Sequence, residues 1–217
     1  MIEVRELSKS FGDVRVLDHV TFNVPASDSL VILGPSGSGK TTLLRLIAGL
    51  EIPDQGEIFI NGEPASEPGR VLSPYRRGIG FVFQTPALWP HMTVAKNILF
   101  GLNGMLKRDA SNRLDELLVQ TGLTGLKHRY PSQLSSGQAR RVALARTLAP
   151  KPRCLLMDEP LTNLDPDLKG QLLAMIKKNV GQERTCLLYV THDAEEARGI
   201  SERVLVLQNG RLNKIIS

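Results

Sequence analysis

The sequence predicts an α/β domain built round a parallel sheet, and three observations carry that prediction. Short continuous apolar runs at "SLVILG" (Ser29–Gly34), "RCLLMDEP" and "TCLLYVTHD" have the character of strands buried on both faces. Segments with helical spacing lie between them, and buried strands alternating with helices make a parallel sheet. Strands at the start and end of the chain read as antiparallel additions to that core.

In chain order, "MIEVRELSKSF" and "VRVLDHVTFNV" alternate and start an antiparallel sheet. The buried strand "SLVILG" runs into a glycine-rich loop. "KTTLLRLIAGL" follows with Leu43, Leu44, Ile47 and Leu50 at helical spacing. "GEIFINGE" returns to strand alternation with a tight turn at Asn61-Gly62. Residues Glu63 to Pro74, rich in Pro, Gly and Ser, read as a loop before the strand "GIGFVFQ". From Thr93 to Leu148 the patterns are helical, so residues from about 85 to 148 form an inserted helical subdomain, with core segments 1–84 and 149–217 on either side. Within it "QLSSGQARRVALARTL" opens on a Ser-Ser-Gly cluster and sets Val142, Ala145 and Leu148 on one helix face. A helix from about Pro166 to Gly181 separates the last two buried strands. The tail "RVLVLQNGRLNKII" reads as a hairpin turning at Asn209-Gly210.

A chain of 217 residues buries a full core as one domain. Its net charge of +5 would permit nucleic acid or an anionic membrane as partner. No block of five or more like charges occurs, so the balance reads as a basic surface, and no nucleic acid is expected. Cys154 and Cys186 each sit in an apolar run, as buried thiols in a reducing compartment would. The opening residues lack the apolar stretch of a signal peptide. No stretch approaches the roughly 18 apolar residues of a membrane span. Any membrane connection is expected through a partner.

The chemistry begins at "GPSGSGKTT", Gly34–Thr42, a P-loop pattern in its required setting of strand before and helix after. Glycines allow backbone N–H groups to converge on phosphate oxygens, and the helix dipole adds positive potential. Lys40, read as an exposed loop residue, brings a point charge to the β and γ phosphates, and the Thr41 hydroxyl suits a Mg²⁺ ion. A second buried strand ends in adjacent carboxylates, Asp158 and Glu159. Asp158 suits the organisation of Mg²⁺, and Glu159, on the other side of the extended chain, can polarise an attacking water. The helix opening at Ser135 is a second anion cradle, with free N–H groups and a hydroxyl at the cap.

With "LSSGQ" added to these motifs, the chain resembles the ATP-binding cassette (ABC) ATPases along essentially its whole length. The resemblance implies a P-loop NTPase (RecA-like) core with a parallel sheet, an antiparallel β subdomain and an inserted helical signature subdomain. It implies a Walker A loop at Gly34–Thr41, with Pro35, Ser36, Gly37, Ser38, Gly39 and the following Thr42 at the nucleotide. It further implies a Q-loop at Gln84, a signature at Leu134–Gln138, a Walker B strand ending at Asp158 and a base at Glu159. A D-loop ending at Asp165 and a switch at His192 complete the set. Lys40, Gln84, Glu159, Asp165 and His192 are the implied catalytic residues, and Thr41, Gln84 and Asp158 the implied Mg²⁺ ligands. Phe11 takes the place of an adenine-stacking aromatic, the alternative being a core Phe in an edge strand. The implied ligands are ATP and Mg²⁺. Two cassettes of this family pair head to tail, so Ser135, Gly137 and Gln138 are expected at the partner's ATP, which accounts for two anion cradles in one chain. Ser136 stands where the family has Gly, and a positive φ there would strain it by about 1 kcal/mol.

The resemblance places the protein as the ATPase subunit of a membrane transporter, peripheral on the cytoplasmic face. "ALWPHMTVAKNILFGL" (Ala87–Leu102) is similar to the importer segment that forms part of the groove for a permease helix. The implied partners are a second cassette, permease subunits and, for an importer, a substrate-binding protein. A soluble ABC ATPase acting on nucleic acid or ribosomes is the alternative, but no sustained heptads lie between the two cradles and only one P-loop is present. A P-loop kinase or GTPase is opposed by the signature and the Asp-Glu pair. The chain stops soon after its last hairpin, so a C-terminal regulatory domain is not expected.

Overall fold

The computed structural model describes residues 1–102 and 104–214. Ile215 and Ile216, included in the predicted tail hairpin, lie outside the described residues. The chain divides into two compact units, one of Met1–Phe81, Arg153–Glu159 and Val180–Ser217, the other of Val82–Pro152 and Pro160–Asn179.

The first unit carries two sheets. One is antiparallel: β1 (Ile2–Phe11), β2 (Val14–Val24), β4 (Gln55–Ile60), β5 (Glu63–Glu67) and β6 (Arg70–Val71) pair in the order β2-β1-β4-β5-β6. The other places β3 (Ser29–Leu33), β7 (Ile79–Val82), β8 (Cys154–Asp158), β9 (Cys186–Thr191), β10 (Val204–Gln208) and β11 (Arg211–Lys214) in the order β11-β10-β3-β9-β8-β7. Strands β10, β3, β9 and β8 are parallel, while β11 turns back on β10 at Asn209 and Gly210. Every residue of β8 and β9 is buried, as continuous apolar runs require when both faces are covered. Cys154 and Cys186 are buried free thiols opposite one another across that pairing. The Cys186 thiol beside it, together with burial, pushes the Cys154 thiol up.

In β1 strict alternation would put either Val4 or Leu7 outside, yet Ile2, Val4 and Leu7 are all buried. A bulge resolves the conflict. Glu6 turns to φ 48 and the register shifts, which changes the phase of the strand. Gly56 on β4 is required there, since a Cβ would lie 2.4 Å from the Arg5 and Glu6 carbonyl oxygens.

The span 63–74 differs from the predicted loop, because β5 and β6 occupy part of it. Asn61 (φ 55) and Gly62 (φ 83) form the tight turn that folds β5 back on β4. Composition marked a loop, but the ladder is supplied by a neighbouring strand. Arg77, 3% exposed, fills the space beneath. Its guanidinium donates to Leu72 O (2.9 Å), Ile47 O (2.7 Å), Ala65 O (2.8 Å) and Ser66 Oγ (2.7 Å). It thereby ties β5 to the last turn of α1 (Lys40–Ala48). Burial lowers the Arg77 guanidinium to about 10, so it stays protonated at neutral pH.

The second unit is helical, with α2 (Val94–Leu99), α3 (Lys107–Gln120), α4 (Ser136–Leu148) and most of α5 (Pro166–Gln182). Burial on α4 extends to Ala143, Leu144 and Thr147 beyond the predicted face, because the helix is packed on more than one side. Buried Arg113 of α3 donates to Leu148 O at 3.0 Å, supplying the carbonyls that α4 leaves free at its end. Back in the first unit, the seven-residue α6 (Ala194–Ile200) follows β9, too short to show a helical period in the sequence.

Candidate active site

Strand β3 delivers the chain into the loop Gly34–Gly39, and three of its residues must be glycine or gain from it. A Cβ on Gly34 would meet Leu207 O at 2.4 Å, and Gly37 and Gly39 hold φ 81 and φ 103. Gly39 is the N-cap of α1 and supplies no side-chain oxygen, so the first N–H groups of that helix face the loop without a side-chain cap. Pro35, Ser36 and Gly37 are exposed, while Gly34, Ser38, Gly39 and Lys40 are buried. Ser38 Oγ is buried with no hydrogen-bonding partner among the described residues. A concave run of N–H groups plus an unsatisfied hydroxyl fits a phosphate chain.

Lys40 contradicts the exposed-lysine expectation: it is 4% exposed. Its ammonium donates to Gly34 O (2.8 Å) and Pro35 O (2.9 Å) and lies 3.3 Å from Glu159 Oε1. The reason is its position as the first residue of α1, where the side chain folds back under the loop instead of out of it. Next to it, Thr41 Oγ1 donates to Asp158 Oδ1 at 3.2 Å, with Thr42 following in the same turn. Asp158 is 2% exposed, and burial raises its carboxyl above the ordinary value against the opposing Thr41 bond. A hydroxyl and a carboxylate side by side suit Mg²⁺, which takes one or two protein oxygens with phosphates and waters completing its shell. Among the described residues no cluster of three or more His, Cys, Asp or Glu makes a full protein cage, as that mode requires none.

Glu159 follows the end of β8 at φ 44, a conformation costing on the order of 1 kcal/mol for a side chain of this kind. Its N–H donates to Val190 O at 3.0 Å, which holds the turn against β9. The carboxylate is therefore swung between two cations or donors: Oε1 toward Lys40 and Oε2 3.0 Å from His192 Nδ1. The His192 side chain is 47% exposed, so the imidazole stands at the open edge of this group. Lys40, Thr41, Asp158, Glu159 and His192 thus converge on the ends of β3, β8 and β9. Phe11, in the same unit, is 49% exposed with the Lys9 ammonium 5.3 Å from its ring centroid, so it is no core residue.

The remaining predicted residues belong to the second unit. Gln84 is exposed just after β7. Ser135 caps α4: its Oγ accepts from Gln138 N at 3.2 Å, and Gln138 Oε1 accepts from Ser135 N at 3.0 Å. Ser136 enters the helix without a positive φ, so the strain anticipated for it is absent. Gly137 lies close to Leu164, whose Cδ2 would be 3.2 Å from an added Cβ. Asp165 accepts from Asp167 N at 3.0 Å at the start of α5. Arg140 donates to the Thr162 carbonyl, which joins α4 to the turn carrying Asp165. Sequence reasoning missed Asn97. It is fully buried and donates to the Trp89, Met92 and Thr93 carbonyls, so it shapes the turn that carries the exposed Trp89. A polar residue inside a short helical pattern leaves no periodic signal.

A parallel sheet with a phosphate-type loop at one strand end and paired carboxylates at another defines a P-loop nucleotide-binding protein. The profile of the ABC transporter family matches residues 17–162, and the chain belongs to that family. The sulfate/thiosulfate import ATP-binding protein CysA of Synechocystis sp. is 45% identical over 99% of this chain and 60% of its own length. The Fe(3+) ions import ATP-binding protein FbpC of Escherichia coli O157:H7 is 43% identical over 99% of this chain and 61% of its own. The chain therefore spans about 60% of the length of the curated relatives it matches. Among solved structures, the ATP-binding cassette MJ0796, dimeric in a post-hydrolysis state bound to ADP and Pi, superposes with a TM-score of 0.88 at 30% identity over 100% of both chains. The fold is thus that of an ABC cassette.

Proposed function

We propose that this chain is the ATP-binding and ATP-hydrolysing cassette of an ABC membrane importer, working as a head-to-tail pair. The observation that carries the reading is the convergence of Lys40, Thr41, Asp158, Glu159 and His192 at the mouth of the glycine loop. The loop Gly34–Thr41 holds the phosphates through the N–H groups of Ser36, Gly37 and residues 39–41 with the Ser38 hydroxyl, and Lys40 donates to the β and γ groups. Phe11 offers its exposed face to the adenine. Thr41 and Asp158 would hold Mg²⁺, which neutralises phosphate charge when bound, and the resemblance gives Gln84 a ligand role as well. Glu159 orients a water and accepts its proton as the water oxygen attacks the γ-phosphorus. The bond to the bridging oxygen breaks, giving ADP and inorganic phosphate. His192, hydrogen-bonded to Glu159, contacts the γ-phosphate.

In this reading the chain is one nucleotide-binding domain; the bounds expected from sequence, core 1–84 and 149–217 against a helical insertion of about 85–148, differ from the two units in that residues 82–84, 149–152 and 160–179 group with the helices. Ser135, Gly137 and Gln138 address the ATP held by the second copy, and Asp165 lies at the same shared face. The relatives with import names support permease subunits as partners and a place on the cytoplasmic face of the membrane, and an importer would add a substrate-binding protein. No helix of the described residues is long and apolar enough to cross a membrane. The named cargoes of the relatives differ, sulfate or thiosulfate against Fe(3+), and neither is assigned to this chain. The test is ATPase activity across a dilution series. Activity per molecule that rises with concentration supports sites shared between copies, and a flat profile from a sedimenting monomer rejects them.

A further inference from the structure

One buried carboxylate has no part in the chemistry above. Glu196, in the first turn of α6, is 2% exposed. A carboxylate out of water is costly unless hydrogen bonds replace its hydration. Here a single oxygen, Oε2, accepts from Tyr189 Oη at 2.8 Å and from Thr191 Oγ1 at 2.9 Å. Tyr189 and Thr191 are themselves 0% and 1% exposed. A helix-capping role does not explain this arrangement. The cap of α6 is Asp193, whose Oδ1 accepts from Glu195 N (2.8 Å) and Glu196 N (3.1 Å).

The Thr191 hydroxyl has one proton, and Glu196 takes it. Its lone pair is then directed at the Asp193 N–H, which donates to it at 3.0 Å. Thr191 is also held on its backbone, since its carbonyl accepts from the Gly34 N–H at 3.2 Å. The two neighbours of His192 in the chain are therefore fixed by one relay, from Glu196 through Thr191 to Asp193. The same Thr191 is joined to the first residue of the phosphate loop. His192 makes none of these bonds. With both flanking residues held, its backbone has little freedom to rotate, and its imidazole stays in reach of Glu159.

We propose that Glu196, acting through the Thr191 hydroxyl, is a positioning residue for His192. This inference rests on the reading of His192 as the γ-phosphate contact. Displacements of about 1 Å in such a group cost up to about 100-fold in rate. Removing the relay at Thr191 keeps the fold of β9, because valine fills the same space.

The experiment measures kcat and KM for ATP in the intact protein for wild type, Thr191→Val, Thr191→Ser, Glu196→Met, Glu196→Gln and His192→Ala. Thr191→Val and Glu196→Met are expected to lower kcat about tenfold with KM changed less than about twofold. Thr191→Ser, which keeps the hydroxyl, and Glu196→Gln, which keeps an acceptor oxygen, are expected within about twofold of wild type. Should Glu196→Met not fold, the Thr191 pair alone decides. Wild-type kcat in Thr191→Val beside an impaired His192→Ala overturns the positioning role and leaves His192 in place. Wild-type kcat in His192→Ala overturns the underlying reading instead. A Thr191→Val defect that serine does not rescue, or that falls on KM, makes the network merely structural and also overturns the proposal.

Discussion

The buried ion pair of Lys40 and Glu159 decides how single substitutions at this site are to be read. Removing one member leaves the other charge in a poorly hydrated place, and such losses usually exceed the value of the pair itself. Lys40→Met should therefore do two things. ATP affinity falls at least about tenfold as charge-assisted hydrogen bonds to phosphate are lost, and the fold weakens because Gly34 O and Pro35 O lose their donor. Calorimetric titration reads the first effect and thermal unfolding the second. Glu159→Gln combined with Lys40→Met should cost less than the sum of the singles, with a coupling of about 0.5–3 kcal/mol for groups in contact. Strict additivity would show that the 3.3 Å approach carries no energy. The identities of these residues were legible in the sequence because the P-loop and the Asp-Glu pair are local strings. Their burial was not, since it depends on how α1 and β8 are set side by side by a sheet formed from distant segments.

Among elements, α1 is the one on which most depends, and it is held at both ends. At its start lies the phosphate loop; at its finish Arg77 donates to Ile47 O and, more weakly, to Leu46 O. Arg77→Met would leave carbonyls of α1, Leu72 and Ala65 without a donor, each worth about 1–3 kcal/mol when buried. A loss of roughly 3 kcal/mol or more is expected in urea unfolding, with little restored by Arg77→Lys, whose ammonium lacks the planar fork. A loss under about 0.5 kcal/mol, the scale of surface substitutions, would show that water takes over those carbonyls. Long apolar runs made the main strands readable, and cap signals marked α4. The pair β5 and β6 was not readable, because Pro64, Pro68, Gly69 and Ser66 carry loop chemistry and only pairing with β4 draws them into a sheet. Nor was α6, whose three buried residues include a glutamate.

For the whole molecule, the strongest expectation concerns assembly. Glu159→Gln keeps shape but loses the proton acceptor, so hydrolysis should fall by roughly 10²–10⁴-fold. Ligand that binds the pair better than the single chain then drives pairing by mass action. The variant with ATP and Mg²⁺ should elute as a dimer, and wild type with ADP as a monomer, in size-exclusion chromatography with light scattering. A variant that stalls hydrolysis but stays monomeric would remove the clamp and keep the base. The neighbouring places of β3, β9 and β8 in the sheet have one more consequence. Adjacent strands lie about 4.8 Å apart whatever their side chains, so the peptide ladder is a ruler for the site. Loop, imidazole and carboxylates stand on successive graduations of it. Exchanges of side chain rewrite what is displayed at each mark without moving the marks. Losing one residue from β9 would leave every interval intact and still turn His192 to the opposite face.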